Sequence, residues 1–327
     1  MDKKISILFT ATFDTSFIRE DLALLRKHFR ITTVFSSGIV AFFRYGIALP
    51  QSSVTFSWFA SVYSSILIFL TKLFGKRSVL ILGGVDVAKL PDVNYGIWNS
   101  WWKSPIVRYG ITHAKVVLAV DQSIKQDAIT LAQYDGKNIS VLPTGHNEQF
   151  WTPGTVSKEQ FVLTVAACGD LTRFKIKGID FLYSVAEALP EMSFVLIGLS
   201  EAMKQQFPPP SNLQTHGILS SKELLEFYQR AQIYFQPSMR EALGSTICEA
   251  MLCECYPVGT NVGGIPTVIG STGAVIAFGD VVSAVEEIRK GFTLSQSPAP
   301  RDRIINHFSL RQRETVLREI ITSLHHE

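Results

Sequence analysis

With 327 residues, 46% of them hydrophobic and 18% charged, the chain is globular and long enough for about two domains; disordered and fibrous classes are excluded. The four cysteines, Cys168, Cys248, Cys253 and Cys255, have no disulfide spacing, which points to a reduced, cytoplasmic setting, and Cys253-x-Cys255 has no second pair to complete a metal site. The net charge of +3 is uneven: up to Phe150 sixteen Lys and Arg stand against ten Asp and Glu, and beyond it fifteen against eighteen, so the first half suits an anionic surface or substrate.

In chain order, ISILFTA near the start reads as a first β-strand and not as a leader, because Asp14 ends the apolar run early. A helix is expected near 16–29, then the strand ITTVF. The run from Trp58 to Phe74, WFASVYSSILIFLTKLF, is near the lower limit for a membrane span. Its serines, threonine and lysine favour a single helix packed on a sheet. SVLILGG, a helix near 97–111, KVVLAV, a helix near 122–131 and ISVLP follow. Trp98, Trp101 and Trp102 with Lys103 fit either a membrane interface or helix-to-sheet packing.

PTGHNEQFWTPGTVSKEQ, rich in turn formers, is the expected joint. Beyond it come FVLTVAA, a helix near 178–189, SFVLIG, NLQTHG, the helix SKELLEFYQRA, IYFQPS, YPVGT and AVIAF. Short apolar strands alternating with helices predict parallel sheets covered on both faces, so the class is α/β with two modules. Ser309 and Gln312 can form a capping box for a last helix whose Val316, Leu317, Ile320, Ile321 and Leu324 share one face. The expected domains are 1–150, 151–305 and a terminal helix over 306–327.

The stretch REALGSTICEA carries the chemistry. Ligands of open α/β sheets bind beyond the carboxyl ends of the strands, which is where Glu241 falls after IYFQPS. Leu243, Gly244, Ser245 and Thr246 then start a helix whose first amides lack intrahelical partners and suit a phosphate. Glu249 lies about 7–8 Å further along the helix axis, the offset from a diphosphate to the ribose of one nucleotide. A carboxylate accepts well from vicinal hydroxyls, so Glu241 and Glu249 bracket the phosphate site as a ruler for a nucleotide-sugar. GDLTRFKIKG brings Arg173, Lys175 and Lys177 to the same sheet edge, and NVGGIPTVI adds Gly263 and Gly264 for close backbone approach. No Asp-x-Asp pair occurs to hold a metal-bound diphosphate, so no metal is expected and Arg173 and Lys177 have to neutralise the leaving group.

These motifs, with THGILSSKELLEFYQRAQIYFQPS and YPVGTNVGGIP, resemble the nucleotide-binding domain of retaining glycosyltransferases of the GT-B fold, family 4. THAKVVLAVDQSIKQD and KNISVLPTGHNEQFWTP are similar to the end of that family's acceptor domain, and the likeness is strong after about Lys137 and faint before it. The resemblance implies two Rossmann-like domains facing across a cleft, an acceptor domain first and a donor domain second, with the C-terminal helix crossing back to the first. It implies a nucleoside-diphosphate sugar as donor, no other cofactor, and a glycan or lipid-linked acceptor. Peripheral contact with an anionic membrane at the inner face is expected beside it, and nucleic acid is not. Arg173, Lys177 and Glu241 take catalytic roles; Leu243, Gly244, Ser245 and Thr246 bind sugar and phosphate, Glu249 the ribose, and Gly217 and Ile218 the base. The family's retaining chemistry is usually drawn as front-face displacement.

Three departures concern the acceptor side. Asp86 stands where the family often has a histidine, FTATFDTSF replaces a glycine-rich first turn, and Thr267 replaces the glutamate of GG-x-P-E. Asp86 and His146 are the acceptor-side candidates. The alternatives are an epimerase or phosphorylase of the same fold, and a non-catalytic nucleotide-sugar-binding subunit. The remaining histidines read as surface or strand residues.

Overall fold

A computed structural model of the chain describes residues 5–155 and 157–326. They form two compact units, Met1–Gly145 with Leu310–Glu327, and His146–Ser309.

In the first unit, β1 (Ser6–Ala11), α1 (Ser16–His28), β2 (Arg30–Phe35), α2 (Gly38–Ala48), β3 (Val54–Trp58), α3 (Val62–Leu73) and β4 (Arg77–Leu82) come first. Then α4 (Lys103–His113), β5 (Val116–Ala119), α5 (Gln122–Ala132) and β6 (Ile139–Val141) complete a parallel sheet of order β2-β1-β3-β4-β5-β6. Its middle strands are buried on both faces because helices cover both sides.

Two expectations needed correction here. The run from Trp58 to Phe74 is not one helix: Trp58 ends β3, and α3 begins at Val62. Phe59 between them takes a left-handed φ of 66°, and Ser61 and Ser64 form a reciprocal capping box. Neither is visible to hydropathy, since VTFSW and the following helix are equally apolar. The helix expected near 97–111 is shortened, because Pro105 is tolerated only in a first turn; α4 therefore starts at Lys103. Trp98 precedes it as a buried residue whose Nε1 donates to the Asp86 carbonyl at 2.8 Å, so it has no place at a membrane interface, whereas Trp101 is 87% exposed.

The second unit carries β7 (Glu159–Cys168), α6 (Leu171–Ile176), α7 (Ile179–Ala188), β8 (Ser193–Leu199), α8 (Glu201–Gln206), β9 (Leu213–His216), α9 (Ser221–Arg230) and β10 (Ala231–Gln236). It continues through α10 (Ser245–Leu252), β11 (Tyr256–Thr260), α11 (Ile265–Ile269), β12 (Ala274–Ile276), α12 (Val281–Thr293) and α13 (Ala299–His307). The sheet is again parallel, of order β12-β11-β10-β7-β8-β9. Phe181, Val185, Phe194, Leu196, Phe235 and Val258 belong to its core. From β7 the chain winds outward to β8 and β9, then returns across β7 to wind the other way, so the strand order reverses between β7 and β10. That reversal opens a crevice at the carboxyl edge.

The last helix, α14 (Leu310–His326), belongs to the first unit and buries Arg313, Leu317, Ile321 and Leu324. Arg313 forks onto Asp21 of α1, Nε to Oδ1 at 2.5 Å and Nη2 to Oδ2 at 2.6 Å, with both side chains 2% exposed or less. Its Nη1 donates to the carbonyls of Leu142 and Pro143, and Trp58 Nε1 donates to Asp21 Oδ2 at 3.0 Å. The guanidinium thus donates four hydrogen bonds, two of them to its counter-ion, as a buried ion pair needs.

Candidate active site

The crevice at the β7/β10 reversal holds a cavity of about 450 Å³. Its walls include the ends of β7 and β8 (Ala166, Gly198), Arg173 and Lys177, Ile218 beyond β9, and Thr246 in the first turn of α10.

Local chemistry places each of these. Asp170 caps α6 by accepting from Arg173 N at 2.8 Å, so the basic segment is a short helix with Arg173 on it. The Ile176 carbonyl accepts from Met239 N and Arg240 N, which ties the end of α6 to the loop after β10. Gly178 is left-handed at φ 65°, and a Cβ there would lie 1.9 Å from the Pro237 carbonyl oxygen; no other residue allows this approach. Lys177, between these two ties, is thereby delivered to Glu241, Nζ to Oε2 at 2.7 Å. The pair is partly shielded, 20% and 14% exposed.

Glu241 is held from below by a residue the sequence reading passed over. Gln236, 1% exposed at the end of β10, accepts through Oε1 from Tyr234 Oη at 2.9 Å and Thr246 Oγ1 at 3.1 Å. Through Nε2 it donates to Ser238 Oγ at 2.8 Å and to Glu241 Oε2 at 3.2 Å. One amide thus fixes the acid and the phosphate-side threonine together. The only signal in the sequence was a glutamine inside an apolar strand, IYFQ.

The helix start is built for close approach. Gly244 caps α10 at φ 96°, and Leu243 is buried, so only its backbone is on offer. Gly263 packs so tightly against this loop that a Cβ would lie 1.8 Å from the Glu241 carbonyl oxygen. Glu249 follows Thr246 by one turn, and its Oε2 accepts from Tyr228 Oη at 3.1 Å. Burial, then the Glu249 charge, pushes the Tyr228 hydroxyl well above its usual pKa, so it stays a donor to that carboxylate. Gly217 accepts from Gly198 N through its carbonyl and is exposed, and Ile218 is 82% exposed at the cavity wall. Lys175 turns instead to Asp180 at 2.7 Å.

The two acceptor-side candidates stand elsewhere. Asp86, in the first unit, is buried; its oxygens accept from the backbone N–H groups of Ala60, Gly83 and Gly84. Burial raises its pKa to about 6 against those hydrogen bonds. It organises the turns after β3 and β4. His146 is 3% exposed, and its backbone N–H donates to the Phe308 carbonyl at 2.8 Å. All four cysteines are buried, and Cys255 Sγ donates to the Tyr228 and Ala231 carbonyls.

Residues 147–306 match the family model described as glycosyl transferases group 1. The phosphatidylinositol N-acetylglucosaminyltransferase gpi3 subunit of Schizosaccharomyces pombe is 24% identical over 176 residues, 51% of this chain and 38% of that protein. The alpha-maltose-1-phosphate synthase of Mycolicibacterium smegmatis is 25% identical over 248 residues, 68% of this chain and 62% of that one. The chain therefore spans less than two thirds of the length of these relatives. Among solved structures, a sucrose-phosphate synthase from Thermosynechococcus elongatus aligns at a TM-score of 0.79 and 13% identity, covering 98% of this chain and 99% of that one. Anabaena Alr3699/HepE in complex with UDP and glucose aligns at 0.74 and 13%, covering 98% and 100%. At such identity the likeness is one of fold. The chain thus has the GT-B fold, and its residues 147–306 match the glycosyl transferases group 1 model.

Proposed function

We propose that the protein is a retaining glycosyltransferase of the family 4 type, moving a hexosyl group from a nucleoside diphosphate sugar to an acceptor hydroxyl of a glycan or a lipid-linked glycan. The observation that carries the reading is the Lys177–Glu241 pair beside a cavity walled by Arg173 and Thr246, at the point where the strand order reverses. Arg173, Lys177 and the amides opening α10 offer positive charge to a diphosphate. Glu241 accepts from hydroxyls of the donor sugar, Glu249 from those of the ribose, and the backbone at Gly217 and Ile218 reads the base. Two named relatives support the donor class: one is an N-acetylglucosaminyltransferase, and one solved neighbour holds UDP and glucose.

In the proposed step the bond from the anomeric carbon to the leaving phosphate oxygen breaks as the bond to the acceptor oxygen forms on the same face. The acceptor proton passes to the departing phosphate oxygen. Arg173 and Lys177 stabilise the charge that grows there, so the reaction calls on no metal cofactor, in keeping with a sequence without an Asp-x-Asp pair. The first unit takes the acceptor.

Incubation with a panel of UDP-, GDP- and ADP-sugars, read by release of the nucleoside diphosphate, tests the proposal. Turnover with one donor, lost in Lys177→Ala and Glu241→Ala, is the expected result. Thermal stabilisation by a nucleotide-sugar without any release would instead identify a binding subunit.

A further inference from the structure

α2, α3 and α4 lie in one layer on the first sheet. Each connects strands that advance the same way along the order β2-β1-β3-β4-β5, and right-handed crossovers put such helices on one face. α2 and α3 share a core with Leu8 and Val34, and Phe69 of α3 packs on Tyr109 of α4 at 6.1 Å. The outer side of this layer is unlike a solvated surface. On α2, Ile39, Phe43 and Ile47 are 73, 72 and 71% exposed and recur every four residues, one stripe along the helix. On α3, Phe69 and Leu73 are 51 and 70% exposed. Contiguous exposed apolar side chains of this size mark a contact surface.

The charge on the same layer has one sign. No Asp or Glu occurs from Leu22 to Val85, and α4 carries none either. Arg44, Lys72, Lys103 and Arg108 are the Lys and Arg residues within the three helices. Lys76 donates to the carbonyls of Leu49, Pro50 and Ser52, holding the carboxyl end of α3 beside that of α2 so that the two apolar stripes stay adjacent. Trp101 adds an exposed indole before α4, and Lys103 sits 5.3 Å over the Trp102 ring. No described helix is long and apolar enough to cross a membrane. An apolar stripe bordered by cations and free of acids has the chemistry of a helix lying in the headgroup region of an anionic bilayer.

We propose that the outer face of α2 and α3, with Ile39, Phe43, Ile47 and Leu73 inserted and Arg44 and Lys72 at the headgroups, docks this protein on an anionic phospholipid surface. The inference is independent of the donor site. Burial of apolar side chains supplies one signal and Coulomb attraction the second, the pair that stable peripheral binding requires.

The full chain is sedimented with vesicles of phosphatidylcholine alone and of equal parts phosphatidylcholine and phosphatidylglycerol. Binding to the second only, weakened by salt, is expected. Arg44→Gln and Lys72→Gln should each lower partitioning about fivefold. Phe43→Glu, at an exposed position that leaves the fold intact by thermal melting, should abolish it. Equal binding to both vesicles, or binding unchanged by Phe43→Glu, would overturn the proposal. So would a concentration-dependent dimer that Phe43→Glu dissociates while vesicles bind nothing, since the face would then belong to a second copy of the chain.

Discussion

Lys177 and Glu241, 64 positions apart in the chain, meet at 2.7 Å because Gly178 and the Ile176 carbonyl clamp α6 onto the loop after β10. Replacing Lys177 by methionine keeps the length of the side chain and removes its charge. Turnover should fall by about 10²–10³, the usual cost of losing a donor aimed at developing charge. The melting temperature should fall modestly, because the largely shielded Glu241 loses its counter-ion but keeps the Gln236 Nε2 and Ala242 N–H donors. Parallel assays of diphosphate release and thermal melting check both halves.

Gln236 is a positioning residue: it touches Glu241 and Thr246 and is closed off from solvent. Gln236→Leu preserves the volume, strips the Thr246 hydroxyl of its acceptor and leaves Tyr234 Oη with the longer bond to the Val165 carbonyl at 3.4 Å. We expect a stability loss of about 1–3 kcal/mol from those lost hydrogen bonds. In addition kcat should drop about tenfold with KM nearly unchanged, on the usual scale for a reacting group set slightly out of line. Gln236→Glu would set a second carboxylate against Glu241, and its activity should decline further as pH rises. A purely structural glutamine would change the melt and leave the pH profile alone.

Gly263→Ala tests the same loop from the other side. A methyl group 1.8 Å from the Glu241 carbonyl cannot be accommodated without moving the loop, and φ there is 54°. Donor affinity, measured by calorimetric titration with the preferred nucleotide-sugar, should fall at least tenfold, about 1.4 kcal/mol. An unchanged affinity would separate this loop from the donor.

Arg313→Ala should destabilise the first unit by about 3–5 kcal/mol, since Asp21 would remain buried without its counter-ion. Replacing both partners, Arg313→Met with Asp21→Leu, should restore much of that loss. Urea unfolding of the single and double variants measures the difference.

The pH dependence of stability follows from two carboxyls. Burial, then the Asp21 charge, raises Glu20 to about 7, and burial raises Asp86 to about 6. Between pH 4 and 7 the folded chain keeps protons that the unfolded chain has released, so stability is full below the unfolded values and is lost as pH rises through the folded ones. For Asp86 this amounts to about 3 kcal/mol. The urea midpoint should be higher at pH 5 than at pH 8, and Glu20→Gln should flatten the change.

Hydropathy and turn chemistry made most strands and the long helices legible, because parallel strands buried on both faces leave unbroken apolar runs such as SVLIL and SFVLIG. They failed where two elements are equally apolar, as at β3 and α3. They also failed at α2, whose exposed stripe is apolar, so the helix shows no alternation to read. Of the candidate site, Glu241, Gly244, Thr246 and Glu249 could be placed from one contiguous stretch. Gln236 could not, because its role depends on four partners, only one of which, Thr246, belongs to that stretch's helix start, and on a side chain that looks like a flaw in a strand until those partners are seen.

The Arg313–Asp21 clasp also sets a timetable for biosynthesis. Everything needed for the first sheet leaves the ribosome early, yet the guanidinium that neutralises Asp21 is translated only after the whole second unit. The lobe that emerges first is therefore the last to be finished, and for that interval a nascent α1 holds a carboxylate that has the Trp58 indole as a donor but lacks its counter-ion.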